Sequence, residues 1–260
     1  SKAGTHPIIG TQINLNTLNI IGKVSLYATS EVGYKNLTKL SSSSYLKKNG
    51  STDPSCSLKD LTENSEGLIL LTGNYTNFFG KLFYKNKLKD FGQILDTLKN
   101  SFSDRLYIEI QRHNESQEKN FENYLLNISK SLNLPLIATQ EIFYLDKDMY
   151  EAHDALICIG EKNFVDDNNR FRYNNQHYFK SQDELEKLYS DIPEALENNY
   201  NFHLRFNFKP KNSKPILPSI ISKESSSPED ELTKLAKLGL ENRLDNFIVK
   251  KNKIKTKVQL

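Results

Sequence analysis

The chain has 260 residues, of which 37% are hydrophobic and 26% charged, and a formal net charge of +3. That length suits one large or two small globular domains with a sizeable core, and so small a charge makes no strong electrostatic case for nucleic-acid binding by this chain alone. The two cysteines, Cys56 and Cys158, form no CxxC pair, the first residues carry no signal-peptide pattern, and no apolar run reaches the roughly 18 residues a membrane span needs, so a reducing cytoplasm is expected.

In chain order, Lys2-Ala3-Gly4 has the pattern of a helix end with a glycine stop, and His6-Pro7-Ile8-Ile9-Gly10 that of a buried strand. Opening on a helix end leads us to expect further material before Ser1. Ile20 to Ala28 is predicted as a strand, followed by a helix near Val32 to Leu46. Gly67-Leu68-Ile69-Leu70-Leu71 is a compact buried strand and Arg105 to Gln111 another. Asn114-Glu115-Ser116-Gln117 has capping-box spacing and opens a helix through Leu132, after which Leu134 to Ala138 is the next strand. Strands alternating with helices predict an α/β fold with parallel strands.

The last third is predicted to be mostly helical. Ser181-Gln182-Asp183-Glu184 is a capping box. Asp191-Ile192-Pro193-Glu194 combines a capping residue, a proline suited to a first turn, and an acid three residues on. Residues 209–227, rich in proline and serine, are predicted as a linker. A helix follows from Ser227-Pro228-Glu229-Asp230, with Leu232, Leu235, Ala236 and Leu240 on one face.

Several blocks in a fixed order carry a resemblance. They are Pro7-Ile8-Ile9-Gly10, Gly33-Tyr34-Lys35-Asn36-Leu37, Gly67 to Gly73, Leu134 to Leu145, Glu151 to Ile159, Asp166 to Arg170, Tyr178 to Ser181, Asp191 to Leu196 and Gly239 to Leu244. Across residues 1–245 they resemble the alpha-subunit family of bacterial DNA polymerase III, in its polymerase-and-histidinol-phosphatase (PHP) domain. The resemblance implies a distorted seven-stranded (β/α) barrel over residues 1–208, incomplete at its N-terminus and lacking a first strand and helix. A linker at 209–227 and the start of the polymerase palm region at 228–260 follow. The family opens with a His-x-His motif and a later Asp-His pair. Neither is in this sequence, which places them upstream of Ser1 and the palm carboxylates beyond Leu260.

In family members with an intact site, metal ligands stand at the C-terminal ends of barrel strands and support phosphoester hydrolysis. Strand reading alone puts Gln12, Asn74, His113 and Gln140-Glu141 just after strands. The resemblance sets a family carboxylate at Gln12, a His at Lys23, a Cys at Asn74, a His at His113, an Asp at Glu141 and a His at Phe143. A carboxamide is a weaker ligand than a carboxylate, an ammonium repels a divalent cation, and a phenyl ring has no donor atom. Gln12, Lys23, Asn74, His113, Glu141 and Phe143 are therefore read as remnants of a metal site, with no intact ligand set and no catalytic residue in this chain. Without the family match, His113 reads as a polar surface or hydrogen-bonded histidine more than as a ligand. His153-Asp154 has the residue types of a catalytic dyad, but beside Ala155-Leu156-Ile157 in a helical stretch it reads as structural. Arg170 and Arg172, interleaved with Phe171 and Tyr173, suit either a structural loop or a contact to single-stranded nucleic acid.

Two functions follow from the resemblance. In the first, the chain is a non-catalytic module of a replicative DNA-directed DNA polymerase that braces the polymerase body and docks a separate proofreading exonuclease subunit. Other replicase subunits and DNA are then partners of the longer chain, which uses Mg²⁺, while this part needs no cofactor and no membrane. In the second, it is an active metal-dependent phosphoesterase or 3′–5′ exonuclease. Gln12, Lys23 and Phe143 favour the first.

Overall fold

The structure, a computed structural model, describes residues 4–46, 53–211, 214–215 and 227–258, with side chains described as far as residue 246. It separates into two units, Ser1–Pro210 and Lys211–Leu260. Lys2 and Ala3, read as a helix end, lie outside the described residues, as does most of the predicted linker at 209–227.

Within the first unit, β1 (Ile9–Thr17) and β2 (Ile20–Ala28) form an antiparallel hairpin paired from Ile9↔Ala28 to Thr17↔Ile20. The turn residues Leu18 and Asn19 both have positive φ, 55° and 60°. Such a two-residue turn matches the right-handed twist of its strands. The helix α1 (Glu31–Leu46) and the short α2 (Leu58–Glu63) lead to β3 (Leu68–Leu71), which pairs antiparallel with β2. Then come α3 (Phe78–Tyr84), α4 (Leu88–Phe102), β4 (Leu106–Gln111), α5 (Glu118–Leu132) and β5 (Leu136–Thr139). The pairs β3–β4 and β4–β5 are parallel. The unit ends with α6 (Tyr150–Glu161), α7 (Gln182–Leu188) and α8 (Pro193–Phe202).

The fold is thus mixed α/β, with an open five-stranded sheet in the order β1-β2-β3-β4-β5. Its β3–β4–β5 half has the parallel pairing expected from the alternation. The β1–β2 half does not, because Leu18-Asn19 turns the chain straight back. The expected closed seven-stranded barrel is not what the described residues form. The opening strand also differs: residues 4–8 are exposed, and β1 runs on to Thr17.

Side-chain alternation in the strands makes two cores. On one face Leu26, Leu68, Leu70, Ile108 and Leu136 pack under Phe78, Phe79, Phe91 and Phe102 from α3 and α4. On the other, Ile69, Leu71, Tyr107 and Ile137 meet Phe206, with Tyr27 and Phe202 at the margin. Gly22 matters to the site: a Cβ there would lie 2.4 Å from the Phe78 Cα. Only glycine lets the start of α3 lie so close over β2, bringing residues 74–77 beside Lys23.

Two helix starts differ from expectation. The Ser181 capping box forms, with Ser181 and Glu184 bonding reciprocally. The Asn114–Gln117 box does not, because Asn114 adopts φ 61° and α5 begins at Glu118 with no side-chain cap from Gln117. Asp191 does not cap α8 either; Ile192 holds that place and Asp191 is drawn to Arg112.

In the second unit, α9 (Pro228–Val258) starts at the expected Ser227-Pro228, and the Ser227 Oγ accepts from the Asp230 N–H at 3.2 Å. No helix among the described residues is long and apolar enough to cross a membrane.

Candidate functional site

The loops after β3, β4 and β5 open on one side of the sheet, facing the middle of the β1–β2 hairpin. Asn74, His113 and Glu141 stand on those loops and line one cleft of about 530 Å³. Lys23 joins them from the middle of β2, and its cross-strand partner Asn14 from β1. Gln12 does not. It lies within β1 opposite Ser25 and lines a separate groove, which Lys23 borders as well. The expectation that it follows a strand fails because the strand is longer than its apolar start implies. Phe143 does not line the cleft and lies in an aromatic stack.

The β4–β5 wall is densely hydrogen-bonded. His113 is buried. Its Nε2 accepts from the Glu141 backbone N–H at 3.2 Å, and its Nδ1 lies 3.3 Å from Glu118 Oε1. An accepting Nε2 leaves the proton on Nδ1, which therefore donates to Glu118. The Glu118 carboxylate also accepts from the backbone N–H of His113 at 2.8 and 2.9 Å and of Glu115 at 3.0 Å. This is why Glu118, the first residue of α5, binds the loop together without any Asn114 cap.

His177 stacks on His113, with ring centroids 4.2 Å apart and planes 8° from parallel, and its Nδ1 is 3.0 Å from the Glu141 carbonyl. Burial, then the neighbouring His113 ring, pushes His177 down to about 4, so it is neutral at physiological pH. Phe143 stacks on His153 at 5.1 Å and 11°, and packs against Tyr173 and His177.

Beneath the cleft lies Glu109, fully enclosed on β4. It accepts from the Gly73 N–H at 2.9 Å, the Gln111 amide at 2.9 Å and the Thr139 hydroxyl. Burial pushes its carboxyl above the ordinary carboxylate range, against the pull of those donors. Gly73 reaches it at φ 83°, a conformation glycine adopts freely. Gln111 in turn accepts from the Asn74 amide at 2.9 Å, while Asn74 Oδ1 accepts from the Thr76 N–H and hydroxyl. Asn74 therefore fastens a turn. Next to His113, Arg112 bonds Glu122 and Asp191 and reaches the Leu188 carbonyl, tying α5 to the segment between α7 and α8.

The hairpin wall is different. Among the described residues, Lys23 makes no side-chain hydrogen bond or ion pair, and none joins it to Glu141, though both line the cleft. Asp154, whose pairing with His153 has the residue types of a dyad but reads from sequence as structural, and Arg170, from the basic–aromatic stretch, form an ion pair with each other. That pair anchors the loop after α6 to the helix, which is the structural alternative for both.

As a metal centre, the donors fit poorly. The Nε2 lone pair of His113 is taken by a backbone N–H, Asn74 is spent on its own turn, Lys23 is cationic, and Phe143 has no donor. Among the described residues, no three His, Cys, Asp or Glu side chains are grouped so as to hold a metal ion. Sequence reading missed Glu109, Glu118, Arg112, His177 and Asn14. Glu109 and Gln111, polar residues inside an otherwise apolar strand, were a usable signal; His177 offered none.

The comparisons with known proteins agree with this architecture. Residues 1–113 match the family described as the PHP domain. The chain is 34% identical over 255 residues to DNA polymerase III subunit alpha of Caulobacter vibrioides, covering 94% of this chain and 22% of that protein. The same-named proteins of Rickettsia bellii and Vibrio cholerae are 35% and 29% identical, each over 94% of this chain and 21% of the relative. Over 94% of its length the chain is thus similar to DNA polymerase III alpha subunits, and its first 113 residues carry the PHP-domain match. It spans about a fifth of the length of the curated relatives it matches.

Proposed function

We propose that this part of the chain is a non-catalytic scaffold of a replicative polymerase, whose former metal cleft has become a hydrogen-bonded and aromatic structural network. The carrying observation is His113: both ring nitrogens are engaged within the fold, by Glu118 and by the Glu141 N–H. An imidazole so held has no lone pair free for a cation unless the loop after β5 rearranges. DNA-directed DNA synthesis, with its Mg²⁺, is assigned to the rest of the longer chain acting in the cytoplasm, and the proofreading exonuclease subunit is inferred to dock on this domain. A closed barrel is part of the same reading. The outer edge of β1 is joined by Cys56 beside Asn14 and Asn16, whereas the β5 carbonyls of Leu136 and Ala138 are capped by the Asn198 and Asn199 amides. Further strands would therefore add at β1.

The test uses the full-length chain free of other subunits, with 3′-labelled DNA in Mn²⁺ or Zn²⁺, and a palm-carboxylate variant to silence synthesis. No metal-dependent nucleotide release is expected. Chelator-sensitive release abolished by His113→Ala would establish the phosphoesterase reading instead.

A further inference from the structure

We propose that the outer face of α6 and the loop after it form a docking strip for a basic amphipathic helical segment of a partner protein. Asp154 and Cys158 are the buried residues of α6. Ala152, Leu156 and Ile159, at i, i+4 and i+7, therefore lie together on its outer face. Leu156 is 63% exposed and Ile159 76%. Met149 lies on the same side just before the helix, and Phe164 and Val165, just after its end, are 78% and 52% exposed. From Met149 to Ile159 the strip runs about 15 Å, nearly three helical turns. A contiguous exposed apolar strip is the usual mark of a partner site, and this length and spacing suit a helix laid alongside.

The strip is held in place. Arg170 pairs with Asp154, Arg170 and Arg172 both donate to the Val165 carbonyl, and the Phe164 N–H donates to Asp167 Oδ2 at 2.9 Å. The backbone that projects these side chains is thus fixed before any partner arrives, which lowers the cost of binding.

Charge selects the occupant. Asp146, Asp148 and Glu151 stand at the start of the strip and Glu161, Asp166 and Asp167 at its end, all exposed, against Lys147, Lys162 and Arg172, while Arg170 is matched by Asp154. The carbonyl end of α6 adds partial negative charge at the same place as the second group. Lysines or arginines flanking the partner's apolar residues would be attracted, and an anionic lipid surface repelled.

This gives the docking role a location, but the two can fail separately, since exonuclease association is read by co-purification and the strip by a probe peptide. The probe is a labelled helical peptide with leucines at i, i+4 and i+7 flanked by lysines, titrated by anisotropy into the full-length chain. Leu156→Ser with Ile159→Ser is expected to weaken it at least about tenfold, with the melting temperature unchanged. Asp148→Lys with Asp166→Lys, which also covers misfolding of the first variant, should weaken the lysine peptide and favour one with glutamates in their place. Equal binding of a scrambled peptide, or indifference to both variants, would overturn the proposal. So would self-association lost in Ile159→Ser, which assigns the strip to a second copy. Resistance of a thiol placed by Ile159→Cys to labelling in the peptide-free full-length chain would assign the strip to that chain's own remainder.

Discussion

The cleft has two unlike walls. The one after β4 and β5 holds Glu109, Glu118, His113 and His177, each buried and bonded to backbone or neighbouring side chains. The hairpin wall presents Lys23, an exposed cation with no side-chain partner among the described residues. One wall thus has a network that stabilises the loops, and the other a residue doing no structural work. Polar groups on the first wall are costly to remove because their partners are buried with them. On the second, water replaces whatever is lost.

The largest effect should come from Glu109→Ala. It strands the Gly73 N–H, the Thr139 hydroxyl and the Gln111 amide in the interior, at about 3 kcal/mol by denaturant unfolding. A loss near zero would mean water reaches that site and the first wall is not wired as described. Next is Glu118→Ala, which frees the buried N–H of His113 and that of Glu115, at about 2 kcal/mol. Hydrogen exchange should show the loss localised at residues 113–118.

The third prediction is a pH dependence. Burial holds the Glu109 carboxyl above its ordinary 4.5. The folded chain then keeps a proton that the unfolded chain has released, so this group's contribution is present below pH 4.5 and is lost as pH rises through the raised value. Glu109→Gln should flatten that part of the stability profile; an unchanged slope would assign it to another group. The smallest effect is Lys23→Ala, expected within about 0.5 kcal/mol of the parent. A large loss there would erase the contrast between the walls.

Much of the sheet was legible because its strands are short apolar runs: Ile20 to Ala28 matches β2, and Leu68 to Leu71 stands out by burial alone. The hairpin was not, since Leu18-Asn19 lacks the Asn-Gly or Asp-Gly pattern that usually marks such a turn. Missing it shortened β1 and put Gln12 after a strand instead of inside one. Of the site, Asn74, His113 and Glu141 were legible because each follows a strand, and positions there converge. The bonds that decide their chemistry were not. Glu118 to His113 and His177 to Glu141 join residues whose meeting depends on how loops from different strands fold back, which no local pattern encodes.

Metal titration of the full-length chain asks whether His113 can still ligate a cation. Isothermal titration with Zn²⁺ and with Mn²⁺ is compared between the parent and His113→Ala, both made metal-free and both in the palm-carboxylate variant. Because the lone pair of His113 is engaged by the Glu141 N–H, the account predicts no tight stoichiometric uptake and identical isotherms for the two proteins. Stoichiometric binding in the parent that disappears in His113→Ala would contradict it.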